Sequence, residues 1–387
     1  MASIAKPIVV LAGPIHPDGH TLLETEARVT VCQDLTEDGV IAAARAAEGI
    51  LFRIRPNCSE RLMSACKQLK VIGRHGVGLD TVDLPAATRL GIPVVHAPGS
   101  NSDAVAEHAI MLMLVAAKKT LAIDRATRKG EWVERRALGI FELKGKTLGI
   151  IGVGNIGRRV AHIARAFGMR VLGCDPYVAP DELRRRETEP VSLDQLLTQS
   201  DVITVHTPLT TETQHIINAE TIAKMKAGVV FVNTCRGKTQ DERALFEGLT
   251  RGRIKAAGLD VWEEEPTPVD NPLLNLETVV CTSHIAGVSD EANRNIAVTV
   301  VGEMLRVLRG EKPQVLGNPA LWPPPRPRAA VPVPLAPSRT SSPRTSPRRS
   351  AWRRRDARRS RVSRCLRRRT VLAAASIGLL DWTRHGR

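Results

Sequence analysis

The segment Leu148-Gly149-Ile150-Ile151-Gly152-Val153-Gly154-Asn155-Ile156-Gly157 runs from an apolar, β-prone tetrapeptide straight into a G-x-G-x-x-G pattern. The glycine pattern alone is a weak signal. Its context is what a dinucleotide-binding turn requires, a strand before it and a helix after it, read here over Asn155–Phe167. Gly152 permits the tight turn, Gly154 lets a pyrophosphate approach the backbone, and Gly157 lets helix and strand pack closely. The helix N-terminus, opened by Asn155 and Ile156, then faces the phosphates. Eighteen residues past Gly157 the next strand, Arg170–Cys174, ends at Asp175. A carboxylate there accepts hydrogen bonds from ribose hydroxyls and repels a 2′-phosphate. No Arg or Lys follows at once, so NAD is expected rather than NADP.

On either side of this turn, short β-rich runs alternate with helical patterns, the signature of parallel sheets flanked by helices. Downstream, strands are expected at Val202–Val205, Val229–Val232, Ala256–Leu259 and Val279–Cys281, with a closing helix over Val288–Arg309. Upstream, they are expected at Ile8–Ala12, Ile50–Phe52, Val71–Ile72 and Val94–Val95, with helices such as Arg61–Gln68 and Leu84–Arg89 between them. Asn101–Arg128 has no Pro or Gly in 28 residues and reads as a helical stretch. Its centre, Ala109–Ala117, is apolar on every side, which predicts burial all round, at an interface or in a core.

Globular signals stop near Trp322. The 387 residues carry 56 Lys+Arg against 40 Asp+Glu, a formal charge of +16. From Asn318 onward there are 18 Arg, no Lys and two acids, so the preceding 317 residues hold 38 basic and 38 acidic side chains. The body is neutral, and the charge excess that would suggest a nucleic-acid or membrane binder belongs to the C-terminal segment. Residues 323–387, rich in Pro, Arg and Ser and without periodicity, are expected to form a disordered basic tail. Binding of nucleic acid or anionic lipid through Arg353–Arg355 and Arg367–Arg369 is disfavoured, because only Trp352 and Trp382 are available there for base stacking. The composition equally fits out-of-frame translation of GC-rich DNA. Seven scattered cysteines without a C-x-x-C argue against a zinc site or disulfide framework and for a reducing, cytoplasmic setting. No His or Cys pair has metal-ligand spacing, so no metal is expected. No signal peptide is visible, and the apolar runs fall far short of the ~20 residues of a bilayer span.

Three later segments end strands with polar groups: Val232-Asn233-Thr234-Cys235-Arg236-Gly237, Gly258-Leu259-Asp260-Val261-Trp262-Glu263-Glu264-Glu265-Pro266, and Thr282-Ser283-His284-Ile285-Ala286-Gly287. Ligands of open parallel sheets bind outside the carboxyl ends of the strands, so all three aim at the crevice of the glycine turn. Singly, Arg236 reads as a surface charge, Glu265 as an exposed acid and His284 as a loop histidine. Their order, at spacings of 29 and then 19 residues, is more specific. Further motifs join them: Arg74-His75-Gly76-Val77-Gly78-Leu79-Asp80, Gly91–Ser100, Leu143–Gly152 and His206-Thr207-Pro208-Leu209-Thr210. Together they make residues 7–322 resemble the D-isomer-specific 2-hydroxyacid dehydrogenase family, in its phosphoglycerate dehydrogenase-like branch.

The resemblance implies two doubly wound α/β domains. A flavodoxin-like substrate domain would take residues 1–99 and 287–322, and a Rossmann NAD domain residues 100–286, with a homodimer formed largely through the latter. It also implies a catalytic set of Arg236, Glu265 and His284 acting on a small 2-hydroxy or 2-keto acid. Hydride transfer at C2 needs a proton carrier at the C2 oxygen, a task that suits the His284 imidazole. Glu265 would orient the ring and favour its charged form, and Arg236 would offer a fork to the substrate carboxylate and carbonyl. Cofactor contacts are implied for the glycine turn, Asn155, Ile156, Asp175, His206, Thr207, Pro208, Cys235 and Gly287, and for Asp260 at the carboxamide. The Val77-Gly78 amides would bind the substrate carboxylate, with Arg53 and Asn101 nearby. Ile54 stands where phosphoglycerate dehydrogenases usually carry a small polar residue, which weakens the case for a phosphorylated substrate, although Arg135 and Arg136 could supply an anion site. His75 and His96 are read as structural. The alternative is a dinucleotide-sensing scaffold or corepressor, because fold does not fix function.

Overall fold

The computed structural model describes residues 5–132 and 139–322; the expected tail and the Arg135-Arg136 pair lie outside the described residues. Two parallel sheets organise it. The first contains β1 (Ile8–Ala12), β2 (Arg28–Val31), β3 (Gly49–Phe52), β4 (Val71–Arg74) and β5 (Val94–Val95) in the order β2-β1-β3-β4-β5. That is the flavodoxin-like arrangement. The second contains β6 (Thr147–Ile151), β7 (Arg170–Cys174), β8 (Glu189–Pro190), β9 (Val202–Val205), β10 (Val229–Asn233), β11 (Ile254–Leu259) and β12 (Val279–Cys281). Its order is β12-β11-β10-β9-β6-β7-β8. Counted from β6, this is the 3-2-1-4-5-6 order of dinucleotide-binding sheets with one strand added.

Neighbouring residues of each strand point to opposite faces, and helices cover both. In the first sheet Val10, Ile50, Ile72 and Val94 pack with Val40, Leu62, Met63 and Ala86. On the other face Val9, Leu11, Leu51, Val71 and Val95 meet Ile296, Val300, Val301, Met304 and Leu305 of the closing helix Asp290–Leu308. In the second sheet Leu148, Ile150, Val230 and Val232 pack with Ala106, Ala109, Leu112 and Met113 of the helix Ser102–Lys118. Its other face sets Ile203, Val205 and Phe231 against Leu196, Leu197, Ile222 and Leu245.

The stretch Asn101–Arg128 is not continuous. It divides at Lys119, which is left-handed (φ 51°), into helices Ser102–Lys118 and Thr120–Arg128. Nor is its centre covered all round among the described residues. Met111 is 36% exposed, and Leu114 and Val115 are half-buried beside it.

Most helix starts are capped by their own sequence. Thr36, Ser59, Asp83, Ser192 and Ser289 each accept a hydrogen bond from a first-turn amide. The helix Asn155–Ala166 differs: its N-cap is Gly154, without a side chain, and its first turn carries no acid. Its leading amides are left for an outside acceptor.

Register then sets the site. Cys174 pairs with Ile151, Ile151 with Val205, Val205 with Asn233, Asn233 with Leu259, and Leu259 with Cys281. The strands therefore end in one row, and the residues that follow them emerge along one edge.

Candidate active site

At that edge Gly152 follows β6 with φ +88°, and a Cβ there would lie 2.9 Å from the His206 carbonyl. A Cβ on Gly157 would lie 2.2 Å from the Gly152 oxygen, so turn and helix touch only because neither carries a side chain. Gly154 borders open space. Asp175, after β7, accepts hydrogen bonds from the amides of Val153 (2.9 Å) and Tyr177 (3.0 Å), which ties its carboxylate to the turn. Past β9, Thr207 Oγ1 and His206 Nδ1 are buried without partners, as is Thr234 Oγ1 past β10. His206 Nε2 lies 3.0 Å from Thr204 Oγ1, and burial pushes the imidazole down to about 3, so it is neutral. The carbonyl of Pro208 accepts from Thr213 Oγ1 at 2.6 Å. Cys235 is buried; its amide and thiol both donate to Asn233 Oδ1 (3.0 and 3.1 Å), and burial pushes the thiol up.

His284 follows β12 in a left-handed conformation (φ 56°), its amide donating to the Asp260 carbonyl at 2.7 Å. Asp260 braces this loop. Its fully buried carboxylate accepts from Thr282 Oγ1 (2.6 Å) and from the amides of Ile285 and Ala286 (2.9 Å each). Sequence reasoning had no signal for that brace, which joins the ends of two neighbouring strands. His284 Nδ1 lies 2.7 Å from Glu265 Oε2, and Glu265 Oε1 accepts the Trp262 amide at 3.1 Å. A carboxylate only accepts, so Nδ1 carries the proton and Nε2 is the free nitrogen. The pair is open to solvent, with the His284 side chain 47% exposed. Burial pushes the Glu265 carboxyl up, but the His284 hydrogen bond and charge, the Trp262 amide and the Arg236 charge outweigh it and hold the group below its ordinary value.

Arg236, after β10, donates from Nη1 to the Cys235 carbonyl (2.7 Å) and from Nε and Nη2 to Asp80 Oδ2 (3.2 and 2.8 Å). Asp80 lies in the loop after β4, so this arginine reaches from the second sheet to the first. Gly78 touches the same guanidinium. The neighbouring Val77 carbonyl accepts from His96 Nδ1 at 2.8 Å. Arg53 donates to the Pro14 carbonyl at 3.0 Å, at the adjacent strand ends. Asn101 meets Gly287, where a Cβ would lie 2.4 Å from Asn101 Nδ2. Thus Glu265 meets His284 directly and feels the Arg236 charge, while Gly78 lies against the Arg236 guanidinium. Asp80 closes the Arg74–Asp80 motif of the sequence, but no site role was expected for it.

Residues 110–286 match the family D-isomer specific 2-hydroxyacid dehydrogenase, NAD binding domain. The hydroxypyruvate reductase of Thermotoga maritima is 40% identical over 309 residues, which cover 79% of this chain and 99% of that protein. The chain belongs to the D-isomer-specific 2-hydroxyacid dehydrogenase family. A D-3-phosphoglycerate dehydrogenase of Methanocaldococcus jannaschii is 41% identical over 304 residues, 78% of this chain but 58% of that one, so this family member spans little more than half of it. The D-lactate dehydrogenase of Aquifex aeolicus, solved with NAD and lactic acid, matches with a TM-score of 0.69 at 31% identity, over 79% of this chain and 96% of that one. The NAD-binding domain of the family is present here with residues that fit the cofactor: an uncapped helix start, open space at Gly154, and unpartnered hydroxyls at Thr207 and Thr234. Among the described residues no helix is long and apolar enough to cross a membrane.

Proposed function

We propose that this chain is an NAD-dependent dehydrogenase interconverting a D-2-hydroxy acid and its 2-keto acid, with Arg236, Glu265 and His284 as catalytic residues. The observation that carries this reading is the 2.7 Å contact of His284 with Glu265 at the same sheet edge as the glycine turn. NAD, when bound, supplies the hydride acceptor, and its reduced form the donor. Proton movement falls to the chain. In oxidation the neutral His284 takes the C2 hydroxyl proton at Nε2; in reduction the imidazolium returns it to the C2 oxygen. Glu265 keeps Nδ1 protonated and offsets the positive charge on the ring. Arg236 stays charged, polarises the C2 carbonyl and pairs with the carboxylate. The amides of Val77 and Gly78 hold that carboxylate, with Arg53 and Asn101 at the margin. The turn with Asn155 and Ile156 holds the pyrophosphate, Asp175 the adenosine ribose, and His206, Thr207, Pro208, Cys235, Asp260 and Gly287 line the rest.

The same reading assigns residues 1–99 and 287–322 to the substrate domain and 100–286 to the cofactor domain. It includes a homodimer through the latter. The outer side of Ser102–Lys118, with Met111, Leu114 and Val115 and with Leu121 just beyond, is an apolar strip of the kind a partner covers. Purified protein is tested for NADH oxidation with glyoxylate, hydroxypyruvate, pyruvate and phosphohydroxypyruvate. Turnover of at least one is expected, on the order of 1–10³ per second. NADH binding with turnover of none would favour the scaffold reading instead.

A further inference from the structure

Arg236 is held by a carboxylate to which no role has been given. A guanidinium has five N–H bonds, and three of Arg236's are used: Nε and Nη2 on Asp80 Oδ2, Nη1 on the Cys235 carbonyl. The two that remain lie one on each Nη nitrogen. Asp80 and Cys235 hold the group from different segments, which fixes its plane. The same group lies against the carboxylate-binding turn, where a Cβ on Gly78 would sit 2.2 Å from Arg236 Nη2 and 2.7 Å from Asp80 Oδ2.

Charge gives Asp80 a second importance. Burial pushes the Arg74 guanidinium down to about 10; the Asp80 charge opposes this, while those of Arg236 and Arg53 add to it. Arg74 Nε is itself buried without a partner. Arg74 thus has the Asp80 carboxylate and two further guanidinium groups, Arg236 and Arg53, within reach of its charge.

We propose that Asp80 is a positioning residue of the active site, which fixes Arg236 with its two remaining N–H bonds available to the substrate's carboxylate and C2 oxygen and restrains the pull of the arginine cluster on anions. The proposal rests on the reading of Arg236 as a substrate-binding group. It is tested with Asp80→Asn, which keeps an acceptor oxygen and removes the charge, and Asp80→Ala, which removes both. Each variant is read by kcat and KM on the keto acid turned over, and by oxalate titration of the NADH complex followed through NADH fluorescence. The same fluorescence reports a folded cofactor domain. Asp80→Ala is expected to lose 10- to 100-fold in kcat as the arginine loses its fixed geometry, on the order seen for small misplacements. Asp80→Asn is expected to recover most of that loss and to bind oxalate about two- to fivefold more tightly, the range for one exposed charge. Equal kcat in Asp80→Ala and wild type, equal losses in both variants, or oxalate binding by Asp80→Asn no tighter than wild type would each overturn the proposal. If wild type turns over none of the keto acids, the dehydrogenase reading fails by itself and the oxalate titration still decides the role of Asp80. A wild type that binds no oxalate removes the substrate role of Arg236, and the proposal with it.

Discussion

Glu265 and His284 stand 19 residues apart in the chain and act on each other reciprocally across their hydrogen bond. Glu265→Gln keeps an acceptor for Nδ1 but removes the charge that lies against the ring. Hydroxy-acid oxidation and keto-acid reduction are both expected to slow in this variant, and an unchanged kcat would dismiss Glu265 from the catalytic set. His284→Ala should lower turnover roughly 10²–10⁴-fold at every pH. Cofactor choice belongs to the same scale. Asp175 is tied to the turn through Val153, so a 2′-phosphate would meet a fixed carboxylate. kcat/KM with NADH should exceed that with NADPH at least tenfold, about 1.4 kcal/mol, and equal values would remove Asp175 from this role. Arg236, Glu265 and His284 were visible in the sequence because each follows an apolar run that reads as a strand. Asp80 was not visible as a partner: it meets Arg236 across 156 residues, and no local pattern marks such a pairing.

Among the elements, the glycine turn separates two demands that one motif combines. Ala at Gly157 would press on the Gly152 oxygen, which is backbone and cannot swing away. Gly157→Ala is therefore expected to cost about 1–3 kcal/mol of stability, as overpacking commonly does, and to lose NADH binding. Gly154→Ala meets no protein atom, so it should keep its Tm and lose NADH affinity alone. Thermal melts with NADH titrations check this, and matching Tm losses in the two variants would refute the distinction. Strands buried on both faces were legible as apolar runs. Of the four edge strands, β5 and β12 were legible as short apolar runs, but β2 and β8 were not: β2 alternates exposed and half-buried residues, and β8 has two residues. The break at Lys119 was equally hidden, since lysine is a good helix former. What separates the two helices is tertiary: Ser102–Lys118 is packed on the second sheet, whereas Thr120–Arg128 buries no residue.

Across the whole molecule, two buried imidazoles link stability to pH. Burial, with the nearby Arg53 and Arg74 charges, pushes His75 down to about 4, and burial pushes His206 down to about 3. An unfolded imidazole titrates near 6.5. Below that pH the unfolded chain binds protons that the native one refuses. The contribution is therefore complete above pH 6.5 and is lost as pH falls toward 4 and then 3, at up to about 1.4 kcal/mol per pH unit for each histidine. Urea denaturation at pH 7, 5.5 and 4.5 should show this decline, and His75→Asn should flatten part of it. A flat profile in the unaltered protein would show that these rings are not held neutral.

The closing helix Asp290–Leu308 also governs how the chain is born. It forms one wall of the first sheet's core, yet the entire second sheet is synthesised between them. At ~5–20 residues per second, Val95 leaves the ribosome roughly ten to forty seconds before Val300 and Met304 arrive. For that interval Val9, Leu11, Leu51 and Val71 have Leu23 and Ala27 of their cluster but lack the closing helix, which leaves an adhesive apolar face on a nascent chain. Translation stalled before residue 290 should yield chains that crosslink to holdase chaperones through the first hundred residues, and release of the completed chain should end that contact.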